Sequence, residues 1–205
     1  SGLQWIIDAY TISFATLLLT AGKAGDIIGP KKVFCAGLII FSAASLLCGL
    51  AHTLSYLIFF RIMQGMGAAL LVANSLSLIQ GVFSVKAERA RAFGIWGGIG
   101  GIAIATGPVA GGILISTFGW PSAFFLNLPF GIASLYLASK YIPEMAILQR
   151  KIDLLAQPMT AIALASLAVM FITSGSDGGL SPGVFIAGLI FVSSVTGLII
   201  HEIRA

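Results

Sequence analysis

Charge is what this chain has least of. Only 9% of its 205 residues are Asp, Glu, Lys or Arg, against about a quarter in a soluble domain, whose surface must face water. A water-solvated globule is thereby excluded, and with 58% of residues hydrophobic the chain is solvated mostly by lipid. Acidic residues are scarcest, seven against eleven basic ones. The resulting net charge of +4 makes no nucleic-acid surface, because the basic residues are scattered between long apolar runs and form no stripe that follows a phosphate backbone. Cysteine is nearly missing too. Cys35 and Cys48 stand thirteen residues apart on one apolar run, roughly 20 Å at helical rise, so they do not bridge each other and read as packing residues. No basic residues precede the first apolar run, and it continues for a full span, so no cleavable signal is visible. Nothing has the form of a Walker loop, a metal cluster or a nucleophile with its base. ATP-driven transport and enzymatic chemistry are disfavoured, and no cofactor is expected beyond protons as a coupling ion.

What the chain does have is apolar length. Runs of spanning size occupy approximately residues 3–21, 33–51, 55–80, 92–117, 122–142, 157–174 and 182–200. They are too long for barrel strands and lack alternation of period two, so the expected fold is all-α, a polytopic membrane protein with seven transmembrane helices. The division is a helical bundle over 1–142, a connecting loop over 143–156 and two further helices over 157–205. The segments at 22–32, 83–91 and 140–156, with the tail, hold Lys23, Lys31, Lys32, Lys86, Arg89, Arg91, Lys140, Arg150, Lys151 and Arg204; the alternate loops "AHTLS", "STFGWPS" and "SGSDGGLSPG" hold no basic residue. Ten against none orients the chain by the positive-inside rule, its start outside and its end cytoplasmic. An odd number of spans and an abrupt start suggest a piece of something longer.

Only Arg61 falls outside that partition. It lies near the start of LIFFRIMQGMGAALLVANSLSLI, an otherwise apolar or small run over 57–79, where an arginine costs roughly 2.5 to 3.5 kcal/mol near mid-membrane. At helical spacing Arg61, Gln64, Gly65, Ala68 and Ser75 share one polar or small face, opposite Leu, Ile and Phe. Two readings stay open: a face turned to the protein interior or a wet cavity, and an arginine that snorkels to the outer interface as an anchor. Asp8 poses the same choice. With Gln4 and Thr11 it forms a polar stripe in the first span, either an intramembrane carboxylate that takes up a proton or pairs with a cation, or a residue wetted from outside. Counted from the outer ends, Asp8 and Arg61 lie at similar depths, about 8 and 10 Å, so the two are expected to be able to meet and couple proton movement. His52, His201, Glu202 and Asp153 sit at span ends or in loops and receive no role.

Glycine supplies the remaining signals. In "GIWGGIGGIAIATGPVAGGIL", Gly97, Gly101, Ala105, Pro108 and Gly112 line one face with Gly100, Gly107 and Gly111 beside it, so a neighbouring helix is expected to approach closely, and Pro108 to kink the span. In "GKAGDIIGPKK", Gly22 and Gly29 permit a tight reversal and Pro30 keeps the chain from continuing as helix. Asp26 pairs with Lys31 or Lys32, or caps the next helix.

These stretches resemble the major facilitator superfamily. The spacing of Gly22, Asp26 and Gly29 resembles its signature loop between helices two and three, with Ile27 and Pro30 where basic residues are usual; the resemblance implies a cytoplasmic gate that Lys31 and Lys32 serve. "RIMQGMGAA" is similar to the helix-four motif, through Arg61, Gln64, Gly65 and Gly67. Gly101, Gly107, Pro108, Gly111 and Gly112 resemble the antiporter motif of helix five, which implies export in exchange for protons. "LQWIIDAYTISFATLLLTAG" and "GWPSAFFLNLPFG", the latter with Pro121 where an arginine is usual, look like the drug:proton antiporters with fourteen helices. The resemblance implies that the spans are helices two to eight, without helix one and the C-terminal bundle, which would be the chain's partners together with lipid and a small-molecule substrate. It also implies a bacterial inner membrane and two bundles that rock around a midplane site. The alternatives are a dedicated exporter of one metabolite, such as an amino acid or siderophore, and a membrane module that keeps the fold without transport.

Overall fold

The computed structural model describes residues 2–145, 156–176 and 182–204. Arg150, Lys151 and Asp153 of the expected connecting loop lie outside the described residues, as do residues 177–181 of the last loop without basic residues. Everything regular is helical: α1 (Gly2–Ile28), α2 (Pro30–Gly49), α3 (Leu54–Val82), α4 (Lys86–Phe118), α5 (Ser122–Phe125), α6 (Asn127–Tyr141), α7 (Ala156–Ser176) and α8 (Pro182–Arg204). Among the described residues six segments are long and apolar enough to cross a membrane, counting Ser122–Tyr141 as one. The seventh expected span falls in α7, which includes the apolar stretch Pro158–Phe171.

The helices begin and end where the chemistry directs. Thr53 opens α3 with its side chain accepting from the Tyr56 N–H at 3.4 Å, the usual remedy for orphan donors at a helix start. The α5–α6 span breaks at Leu126 because Pro129 has no N–H for the Phe125 carbonyl four residues earlier. Helix α4 has 33 residues, about 50 Å against a hydrocarbon core of about 30 Å, so its charged first turns stand clear of the apolar zone. Arg89 there donates Nε to the Phe83 carbonyl at 3.0 Å and Nη2 to that of Ser84 at 3.3 Å, tying down the α3–α4 turn.

One boundary corrects the sequence reading. The reversal expected across residues 22–32 is confined to Gly29, at φ 107°; α1 runs on through Gly22, Lys23, Gly25 and Asp26 to Ile28. Pro30 stands at the break between α1 and α2, as expected, and occupies the first turn of α2, where its fixed φ suits a helix start and its missing N–H would be unpaired anyway. Gly25 tolerates the helix because it lies against α3, where a Cβ would strike the Asn74 side chain.

Helix α3 is the hub, packed along its length against α1 on one side and α2 on the other. In lipid, burial of apolar surface does not drive helices together, so association depends on close van der Waals contact at small residues. The seam shows this. A Cβ on Gly67 would lie 2.6 Å from the Phe41 nitrogen of α2, one on Gly37 would lie 3.1 Å from the Gly67 carbonyl oxygen, and one on Gly65 would meet Ser13 of α1. Ala44, Ser45 and Cys48 of α2 and Ala68 and Ala69 of α3 are among the other buried residues of the two helices. Helix α6 lies along α2, while α7 and α8 pair with each other and α7 rests on α1.

Helix α4 is the exception. Not one of its residues is buried, and a Cβ added to Gly97, Gly100, Gly101, Gly107, Gly111 or Gly112 would meet nothing within 4 Å. The close approach expected at this face is therefore not made by any described helix; it occurs on α3 instead. Helix continues through Pro108.

Candidate functional site

Arg61 sits eight residues into α3, where that helix passes α1. Its side chain is half-buried and turned inward. Nε donates to the Ile6 carbonyl of α1 at 3.0 Å and Nη1 donates to Gln64 Oε1 at 2.6 Å. The guanidinium carbon lies 4.3 Å from the Tyr10 ring centroid and 5.8 Å from that of Phe124. Hydrogen bonds to a charged group contribute about 1.5 to 3 kcal/mol each, and a cation over an aromatic face about 0.5 to 2. Those contributions are large enough to offset the insertion cost that made the residue conspicuous.

The bonds continue inward. Gln64 Nε2 donates to Ser45 Oγ at 2.7 Å, and Ser45 Oγ donates to the Phe41 carbonyl, also at 2.7 Å. From α6, Asn127 Nδ2 reaches the same Ser45 oxygen at 3.4 Å. Ser45 is fully buried and Gln64 is 2% exposed, so at these two residues an unmade bond would be costly. Four helices meet in it.

Asp8 is not among them. It lies two residues from both Ile6 and Tyr10, about 200° around α1 from each, so it faces away from the side that Tyr10 turns to Arg61. Among the described residues it makes no ion pair with Arg61, and the expected pairing is absent from this structure. Tyr10 holds that place instead. An apolar-looking helix face gave no reason to single out an aromatic ring as the partner of a cation, although a hydroxyphenyl group two residues beyond the carboxylate was there to be read.

Of the helix-four residues, Gln64 holds the arginine, Gly65 admits α1 and Gly67 admits α2. The gate residues are more dispersed. Asp26 is helical, and neither an ion pair with Lys31 or Lys32 nor a cap on α2 is formed by it among the described residues; Gly29 holds the N-cap position without a side-chain bond. Asp26, with Ser77, Gln80 and Glu144, lines a cavity of about 520 Å³ between the ends of α1 and α3 and the stretch after α6. Lys31 Nζ donates to the Ser139 carbonyl of α6 at 3.2 Å, while Lys32 is exposed. Gly101, Gly107, Pro108, Gly111 and Gly112 sit on the uncovered α4, away from these groups.

Asn74 was not expected. It is fully buried in α3 and donates Nδ2 to the Ala21 carbonyl of α1 at 3.0 Å and to the Leu70 carbonyl at 2.9 Å. Its Oδ1 has no hydrogen-bond partner and points at Gly25. An asparagine inside an apolar run was the available signal.

Residues 1–201 match the family model described as the Major Facilitator Superfamily. A methylenomycin A resistance protein of Bacillus subtilis is 34% identical over 205 residues, which is 100% of this chain and 44% of the relative. A riboflavin transporter of Clostridioides difficile is 39% identical over 70% of this chain and 31% of its own. For a multidrug resistance protein of Mycobacterium tuberculosis the identity is 35%, over 86% of this chain and 33% of the relative. The chain thus spans less than half the length of these curated relatives. A helical membrane bundle seamed by small residues around an inward-turned arginine, matched nearly end to end by that family model, belongs to the major facilitator superfamily.

Proposed function

We propose that the protein of which this chain forms the N-terminal bundle exports small amphipathic molecules across the cell membrane in exchange for protons, by alternating access. Relatives named for antibiotic and multidrug resistance support export; the observation that carries the coupling is Arg61, a fixed cation held inside the bundle by Ile6, Tyr10 and Gln64. Arginine stays protonated, so it suits the role of a constant charge beside a carboxylate that loads and unloads a proton. With Asp8 turned away, that carboxylate belongs to the part of the transporter that covers α1 and α3 from the other side. The charge partition places the Gly2 end of α1 outside and the Lys23 end in the cytoplasm. A narrower reading, transport of one metabolite, draws on the riboflavin transporter among the relatives.

Proton-driven efflux by the full-length protein in everted vesicles tests this. Arg61→Ala should insert and express normally yet lose efflux, and Arg61→Lys should keep part of it. Asp8→Asn should leave the dependence on the pH gradient unchanged. Undiminished efflux by Arg61→Ala would reduce the arginine to an anchor, and loss of coupling in Asp8→Asn would assign the carboxylate's part to Asp8.

A further inference from the structure

Among the described helices, the α7–α8 pair meets the rest of the molecule only where α7 rests on α1. That joint is not sealed. Thr16, Leu19, Thr20 and Lys23 of α1 and Thr160 and Ala161 of α7 line a cavity of about 170 Å³, smaller than the roughly 300 Å³ at which pockets for drug-sized ligands begin. We propose that this cavity binds the phosphate and glycerol-ester portion of one anionic glycerophospholipid, which joins the helix pair to the bundle. The site lies apart from Arg61 and stands whether or not the arginine serves coupling.

The walls supply donors. Lys23 is exposed and makes no hydrogen bond or ion pair among the described residues, whereas Lys31 is held by the Ser139 carbonyl and Lys140 by the Tyr136 hydroxyl. Thr11 and Ser13 of α1 give their hydroxyls to the Ile7 and Tyr10 carbonyls at 3.1 and 3.0 Å, the usual resort of a hydroxyl on a helix. Thr16 and Thr20 make no such bond among the described residues. The Thr16 Oγ1 is buried without a hydrogen-bond partner, a deficit of about 1 to 3 kcal/mol if nothing meets it. No Asp or Glu lines the cavity. One ammonium among hydroxyl donors matches an anion that carries several acceptor oxygens.

Depth selects a lipid over a free anion. Lys23 stands five residues before the end of α1 at Ile28, and Thr160 lies in the first turn of the apolar stretch Pro158–Phe171. The cavity therefore opens at the edge of the apolar zone. At the helical rise Thr20 and Thr16 lie roughly 4.5 and 10 Å deeper than Lys23. A phosphate held at Lys23 thus puts the ester carbonyls at the level of Thr20, and the deeper ester approaches Thr16. Inorganic phosphate would satisfy Lys23 and leave the deep end empty. Glycines and alanines let α3 close on its neighbours, but α1 presents Leu19, Thr20 and Lys23 to α7. The two helices stand apart there, and in a bilayer lipid fills such a gap.

Native mass spectrometry of the purified full-length protein, titrated with dioleoylphosphatidylglycerol, measures the affinity of the first bound lipid. Lys23→Gln should weaken it about fivefold, the effect of one lysine near an anionic headgroup. Lys32→Gln, which alters an exposed lysine outside the cavity, should leave it unchanged. Thr20→Val should weaken binding about 2- to 12-fold, the range for one hydrogen bond. The unaltered protein should prefer phosphatidylglycerol to phosphatidylcholine, and Lys23→Gln should remove that preference. The diether analogue of the lipid, which has no ester carbonyls, should bind the unaltered protein more weakly than the diester. Equal losses in Lys23→Gln and Lys32→Gln would show only general attraction to a basic surface and overturn the proposal. So would a diether bound as tightly as the diester, a comparison that needs no variant to fold. Displacement of the lipid by excess inorganic phosphate would assign the cavity to a free anion and overturn it as well.

Discussion

Gly67→Ala should destabilise this bundle although alanine is the better helix former, and the size of the effect follows from the seam between α2 and α3. The new Cβ would lie 2.6 Å from the Phe41 nitrogen and 2.9 Å from its Cα. Both are backbone atoms on a packed helix, so no side chain can rotate away, and ordinary contact is regained only if the helices part by several tenths of an ångström. A gap of that size forfeits about a quarter of the dispersion energy of each contact along the seam, and overpacking of this kind costs about 1 to 3 kcal/mol. The propensity gain of alanine over glycine returns at most about 1 kcal/mol. Gly111→Ala on α4 is the matched control: its Cβ meets nothing within 4 Å, so it keeps the propensity gain and loses nothing to the described helices. The two variants should differ by about 1 to 3 kcal/mol, with Gly67→Ala the less stable, if the overpacking cost dominates as argued. Denaturation of the purified full-length protein by sodium dodecyl sulfate in mixed micelles measures the difference. Equal stability of the two variants would refute the close-packed seam, and with it the register that places Gln64 opposite Ser45.

Two further outcomes follow from particular contacts. Gly25→Ala should lower the melting temperature, because its Cβ would collide with the Asn74 side chain, and adding Asn74→Ala should recover part of the loss; failure of the second change to rescue the first would mean that the helices do not meet there. Cysteines introduced at Ser55 and Thr117 should react with an impermeant thiol reagent applied outside intact cells, and one at Ser84 should not, with the opposite pattern reversing the orientation inferred from the basic residues.

Much of this protein is a matter of composition and spacing. The apolar runs, the ten-to-none partition of basic residues and the scarcity of charge determine a helical membrane protein and nearly all of its spans, because in lipid each backbone group must be paired within its own helix and length alone then decides what crosses. The polar face of Arg61, Gln64 and Gly65 was legible for the same reason, being a periodicity along one helix. Partners are not. Whether Arg61 meets Asp8 or Tyr10 depends on how α1 is rotated about its axis, and depth along the membrane carries no information about that rotation. Whether a run of glycines is a seam depends on which helix lies opposite, so α3 uses its glycines and the richer series on α4 finds no described neighbour. The helix that runs through Gly22 and Asp26 to a single turn at Gly29 was obscured because glycine reads as a breaker until a neighbour is seen to need its missing side chain. Sequence alone determined which segments enter the membrane and which of their faces are polar. Only the tertiary structure decided which faces meet, since helix rotation and crossing are set by side-chain contacts between segments far apart in the chain.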